Sequence, residues 1–251
     1  LMQERDKEEY FKKTQFKDWT INDVIGHIHI FNFAANLSLK SPEKFRNFFV
    51  PILDSFSKGI NLIETQKSWL NGLFGPKLLE SWWSEAEKVA ENFSNTDPKI
   101  RLKWAGPDMS ARSSITARQM ETWAHSQEIF DALGLERIEH DRIKNIVHLG
   151  VATFGWSFTN RNIPIPSEVP FVKLISPSGN TWMWNHFSKT SKIEGSAVDF
   201  ARVVTQTRNV RDTSLLSKGK TAKAWLSIAQ CFAGPPEEPP KKNSRHKVSY
   251  I

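Results

Sequence analysis

Apolar positions recur at helical spacing through residues 1–136 and give way to strand-like runs only after about residue 160. Ile21, Val24, Ile25, Ile28, Phe31 and Ala35 fall every three or four residues, which puts them on one side of a helix of 3.6 residues per turn. Thr20 stands ahead of this run with Asp23 in its first turn, an N-cap hydroxyl followed by an early acidic residue. A second apolar face passes through Phe45, Phe48, Phe49, Ile52, Leu53, Phe56 and Ile60 over about 43–71. Pro51 is expected to interrupt or kink it, and the run either continues or breaks before Leu62 to Leu70. Leu78, Leu79, Trp82, Trp83, Ala86 and Val89 predict a helix over 78–93. The clearest run, about 110–133, is stopped by Gly134 in the C′ position. Ahead of Trp19 there is room only for a short helix over Gln3–Thr14, and the chain opens with Leu, which together point to an N-terminally truncated fragment. Helices joined by short, proline-marked connections suggest an up-and-down bundle.

The texture changes after a helix expected over 141–160. Pro164, Pro166 and Pro170 break the periodicity, and PFVKLIS and NTWMWN flank Pro177-Ser178-Gly179 as a β-hairpin. Helices follow at about 196–208 and 220–232, and the Pro-rich, charged segment 235–251 is expected to be a disordered tail. The fold class is therefore α+β, with a helical bundle over 1–139 and a smaller α/β domain over 140–234.

Composition narrows the function classes. Of 251 residues 39% are apolar and 12% aromatic, including ten Trp, which excludes disorder as the main state. No apolar run approaches the ~20 residues that span a bilayer, and the charged start LMQERDKEEY has no secretory apolar region. One cysteine, Cys231, excludes an internal disulfide framework and a multi-cysteine metal cluster, and a cytoplasmic location is expected. The net charge of +7 is spread thinly: in the tail, Lys241, Lys242, Arg245 and Lys247 against Glu237 and Glu238 give four minus two, or +2. Without a one-sided basic stripe, nucleic acid is not the expected partner, whereas a small anionic substrate suits the excess.

Two places can carry chemistry. His27 lies at or beside the apolar face of the helix that starts at Ile21, and Glu121 and His125 stand one turn apart on the long helix. An i, i+4 carboxylate and imidazole can share a cation, and a third ligand from a facing helix leaves the open fourth position of a catalytic zinc site. The same spacing also describes a solvated helix face on which Arg118 salt-bridges Glu121 and Glu128 continues the polar stripe. His140, His148, His186 and His246 read as loop, packing or tail histidines, and Cys231 as a buried apolar residue.

The pairing of WTINDVIGHI with RQMETWAHSQEIFDALG about a hundred residues later resembles the DinB-like superfamily, and within it the metal-binding relatives of mycothiol-dependent maleylpyruvate isomerase. KWAGPDMSARSSITA, IKNIVHLGV, VTQTRNVRDTSL and WLSIAQCFAGPP extend the resemblance over about Trp19 to Pro236, toward an uncharacterised metal-binding branch. The resemblance implies a four-helix bundle holding one divalent metal, most simply Zn2+, through His27, Glu121 and His125; His29, two residues along the helix from His27, points away and reads as non-ligating. It implies a sterol-carrier-like second domain that lends the site an arginine, for which Arg208 is preferred over Arg211, with Arg118 a second candidate for substrate binding. It also implies a low-molecular-weight thiol, mycothiol or glutathione, whose thiolate adds to an activated cis double bond. Rotation about the new single bond and elimination then give the trans product. S-transfer by the same metal and thiol, or a non-enzymatic metal- or ligand-binding module, are the competing readings.

Overall fold

The computed structural model describes residues 1–249, without the side chain of Phe56. They fall into two compact units, Leu1–His125 and Ser126–Ile251. The division comes earlier than the residue 139/140 boundary expected from sequence texture. The reason is that the last turns of the long helix carry Glu128 and Asp131, whose ion-pair partners, Arg245 and Arg208, belong to the C-terminal half.

The first unit is helical. Its α-helices are α1 (Ile21–Lys40), α2 (Pro42–Ser57), α3 (Leu62–Leu70) and α4 (Gly75–Ser94), followed by the short antiparallel pair β1 (Arg101–Leu102) and β2 (Met109–Ser110). The next helix, α5 (Ala111–Ala132), begins in this unit and ends in the second. Helix α1 is central and packs on α2, α3 and α4. Its start is fixed by a capping box: Asp23 N–H donates to Thr20 Oγ1 at 3.1 Å, and Thr20 N–H donates to Asp23 Oδ2 at 3.0 Å. Ala34 and Ala35 let neighbours approach closely, Phe45, Phe49 and Ile52 on one side and Val89 and Phe93 on another. Pro51 is accommodated inside α2, and the break falls at 58–61 instead, where Gly59 has φ +78° and Asn61 caps α3. The helix expected over Gln3–Thr14 is a single 3₁₀ turn, Lys7–Phe11. That segment buries only Tyr10, whose hydroxyl donates to Met2 O at 3.0 Å, so it has no apolar stripe to hold a longer helix.

The second unit is mixed. A 3₁₀ turn, Asp141–Ile143, leads to α6 (Lys144–Ala152) and α7 (Phe154–Thr159), so the run expected over 141–160 is broken at Thr153, whose hydroxyl bonds back to Leu149 O at 2.8 Å. A four-stranded sheet has the order β4-β3-β5-β6. The expected hairpin is there, β3 (Phe171–Ile175) antiparallel to β4 (Thr181–Trp184) with Ile175 opposite Thr181. Two further strands join it: β5 (Lys192–Ser196), parallel to β3, and β6 (Leu216–Lys218), antiparallel to β5. Helices α8 (Ala197–Val204) and α9 (Lys220–Leu226) are shorter than the 196–208 and 220–232 expected. Val172, Leu174, Ile193, Phe200 and Trp225 form the fully buried centre of this unit. Residues 235–249 are not a disordered tail. Arg245 and Lys247 pair with Glu128 and Glu136, Val248 N–H donates to Asp131 O, and Asn209 donates to Pro240 O.

Candidate metal centre

Three donor atoms meet between α1 and the first half of α5. One atom each from His27, Glu121 and His125 lie within 4.8 Å of one another. Glu121 Oε2 is 3.4 Å from His125 Nε2 and 3.9 Å from His27 Nε2, so both imidazoles turn the same nitrogen toward one carboxylate oxygen. The polar stripe of α5 is thus buried: His125 is 8% exposed and Arg118 6%. A solvated face with Arg118 salt-bridging Glu121 is not what forms; Glu121 faces the two imidazoles instead.

The surroundings set orientation and protonation. His27 Nδ1 donates to Gln66 Oε1 at 2.7 Å, which leaves the lone pair on Nε2, the nitrogen that faces Glu121. Gln66 is itself buried, on α3. Around the cluster stand Trp19, 5.3 Å from the His27 ring and parallel to His125 at 6.2 Å; Phe16, edge-on to His125 at 5.2 Å; and Phe31, 4.7 Å from His27. Burial pushes the His27 imidazole down to about 3, helped by the nearby His125, so it is neutral at pH 7. Burial acts the other way on Glu121, but the His125 hydrogen bond and the charge of Arg118 outweigh it and hold that carboxyl at about 2. A neutral imidazole and an ionised carboxylate are the forms that bind a cation.

The donor set suits a divalent cation. Two imidazoles and a carboxylate match zinc preference, and the Gln66 contact is the outer hydrogen bond that ligating histidines characteristically make. Among the described residues no fourth His, Cys, Asp or Glu joins the group. His29 lies outside it, against Trp69 at 5.6 Å.

The arginines differ. Arg208 lies beyond the end of α8, not on it, and its fork grips Asp131: Nη2 donates to Oδ1 at 2.8 Å and Nη1 is 2.8 Å from Oδ2. Arg211 is in the 3₁₀ turn Val210–Asp212. Arg118 is buried against the adjoining rings of Phe31 and Trp104. Cys231 is buried, 5% exposed. Gln66 and the aromatic wall escaped sequence reasoning; no local spacing ties position 66 to 27.

The chain is a member of the DinB-like, maleylpyruvate-isomerase-like superfamily. Residues 1–130 match the family described as the mycothiol maleylpyruvate isomerase N-terminal domain, and the chain belongs to that family. It is 34% identical over 218 residues to uncharacterized proteins of Mycobacterium tuberculosis, MT0041 (strain CDC 1551 / Oshkosh) and Rv0036c (strain ATCC 25618 / H37Rv), covering 87% of this chain and 84% of each relative. Among solved structures, a His-to-Ala mutant of mycothiol-dependent maleylpyruvate isomerase superposes with a TM-score of 0.50 at 15% identity, over 85% of this chain and 83% of that one. At that identity the likeness is one of fold.

Proposed function

We propose that the chain is a divalent-metal-binding enzyme, a thiol-dependent isomerase or S-transferase acting on a small acidic substrate. One observation carries the reading: three inward donors with no fourth His, Cys, Asp or Glu among the described residues, the pattern of a cation site with a coordination position left for substrate. Membership of the mycothiol maleylpyruvate isomerase N-terminal family supports a thiol, mycothiol or in its place glutathione, and the choice of zinc rests on the two imidazoles and one carboxylate of the donor set. The bound cation would lower the pKa of a thiol and so supply a nucleophile at neutral pH. His27 and His125 present Nε2 and Glu121 presents Oε2 as the holding atoms. Gln66 fixes the His27 tautomer, and Trp19, Phe16 and Phe31 pack against the imidazoles. No helix among the described residues is long and apolar enough to cross a membrane. The reading carries with it a cytoplasmic location, where small thiols stay reduced.

The test is conversion of a cis-unsaturated diacid to its trans isomer by purified, zinc-loaded protein with mycothiol, with glutathione and with no thiol. Turnover that needs a thiol and disappears in His125→Ala supports the proposal. Zinc-loaded protein that neither isomerises nor transfers a thiol to any such acid contradicts it.

A further inference from the structure

Arg118 is the least expected residue of the first unit. Its side chain is buried, 6% of the residue being exposed, and its Nε has no hydrogen-bond partner among the described residues. Buried arginines are ordinarily paired, because desolvating a guanidinium without hydrogen bonds is expensive. Here the nearest acid along the helix, Glu121, is drawn to two imidazoles. What Arg118 has is aromatic: its Cζ is 5.1 Å from the centre of the Trp104 ring and 5.8 Å from that of Phe31. Stacking on two rings offsets part of the desolvation but uses none of the five N–H donors. Phe31 is also the ring that lies 4.7 Å from His27, so the guanidinium and the His-Glu-His cluster flank the same side chain. The Arg118 charge is felt at both Glu121 and His27.

We infer that Arg118 is a built anion site next to the metal cluster, receiving a carboxylate of the small acid on which the protein acts. The last clause rests on the metal-and-thiol reading above; the anion site rests on Arg118 alone. A planar guanidinium resting against two adjoining aromatic rings offers parallel N–H donors in one plane, which matches a flat carboxylate in two-point contact better than a tetrahedral phosphate. Lysine cannot reproduce that contact, since its ammonium is a point donor. The function falls to Arg118 on α5, while Arg208, the arginine favoured by resemblance, is already ion-paired with and hydrogen-bonded to Asp131.

Titration calorimetry decides the matter, with maleate and separately with inorganic phosphate as probes. Zinc-loaded parent protein, Arg118→Lys and Arg118→Met are compared, with zinc content measured on each preparation. The expected result is maleate binding by the parent, weakened at least about tenfold in Arg118→Lys and about a hundredfold or more in Arg118→Met. Zinc content should be equal in all three, and phosphate should bind the parent far more weakly than maleate. Should Arg118→Met fail to fold, Arg118→Lys, which keeps the charge and most of the volume, carries the comparison. Equal maleate affinity with and without the guanidinium overturns the inference, as does a preference for phosphate. A parent that binds maleate through Arg118 but holds no zinc removes the metal reading and leaves the anion site standing.

Discussion

Gln66 decides which nitrogen of His27 faces the carboxylate of Glu121. Its Oε1 can only accept, so the 2.7 Å contact protonates Nδ1 and bares Nε2. Replacing it by a side chain of similar size without a polar head, Gln66→Leu, should weaken zinc binding by about 10–100-fold, as loss of such outer contacts does, while helicity stays as in the parent. Competition with a chromophoric chelator measures the first and far-ultraviolet circular dichroism the second; unchanged affinity would show that the contact does not orient the ligand. The cluster itself was legible in the sequence only in part. The i, i+4 spacing of Glu121 and His125 put them on one side of a helix, but it took the family resemblance to select His27 from seven histidines. Gln66, Phe16 and Trp19 reach the cluster from other segments, and nothing in local periodicity encodes such an approach. Burial separates the readings that spacing left open: a stripe of Arg118, Glu121, His125 and Glu128 looks like a wet helix face until it is seen enclosed.

At the scale of elements, legibility followed local rules. The end of α5 was readable because Gly134 takes φ +67° and closes a Schellman motif, with Leu135 N–H donating to Phe130 O and Gly134 N–H to Asp131 O. The start of α1 was readable from its capping box. Strands β5 and β6 were not, since KIEGS and LSK carry no alternation and are strands only because β3 and β5 offer them edges. Two tests belong here. Gly150 on α6 leaves no space for a methyl group: a Cβ there would meet Val204 Cγ2 at 2.7 Å, and valine is stiff. Gly150→Ala should therefore destabilise the second unit by about 1–3 kcal/mol in denaturant unfolding. Glu168 clasps the loop before β5, accepting from the Ser188 and Thr190 hydroxyls and from the N–H groups of Lys189 and Thr190. These hydrogen bonds hold its carboxyl at about 2, below the ordinary 4.5. A depressed carboxyl stabilises the fold above its unfolded pKa, so the clasp should be whole above about pH 4.5 and be lost as pH falls toward 2. Amide-exchange protection at Lys189 and Thr190 should follow that window and be absent in Glu168→Gln; protection indifferent to pH and to the substitution would refute it.

Over the whole molecule, the segment 235–249 changes the meaning of the basic charge. Composition alone marked it as a loose cationic end, yet Arg245 and Lys247 are consumed in ion pairs, and Arg245 Nη1 reaches Glu128 at 3.2 Å where that carboxylate is almost wholly enclosed. Removing one partner of a buried pair leaves the other charge in a poor medium. Arg245→Met should lower the stability of the second unit by on the order of 3 kcal/mol, little relieved by salt. A loss below about 0.5 kcal/mol in urea unfolding would return the segment to the role of an appendage. The central claim, however, is that His27, Glu121 and His125 form a divalent-cation site, and one measurement addresses it most directly. Zinc is titrated into metal-stripped parent protein and Glu121→Ala against a competing chelator, with circular dichroism confirming that α5 persists. The expected result is one zinc per chain in the parent and affinity lower by an order of magnitude or more in the variant. Parent protein that takes up no stoichiometric zinc, or a variant that binds it equally well, would contradict the account.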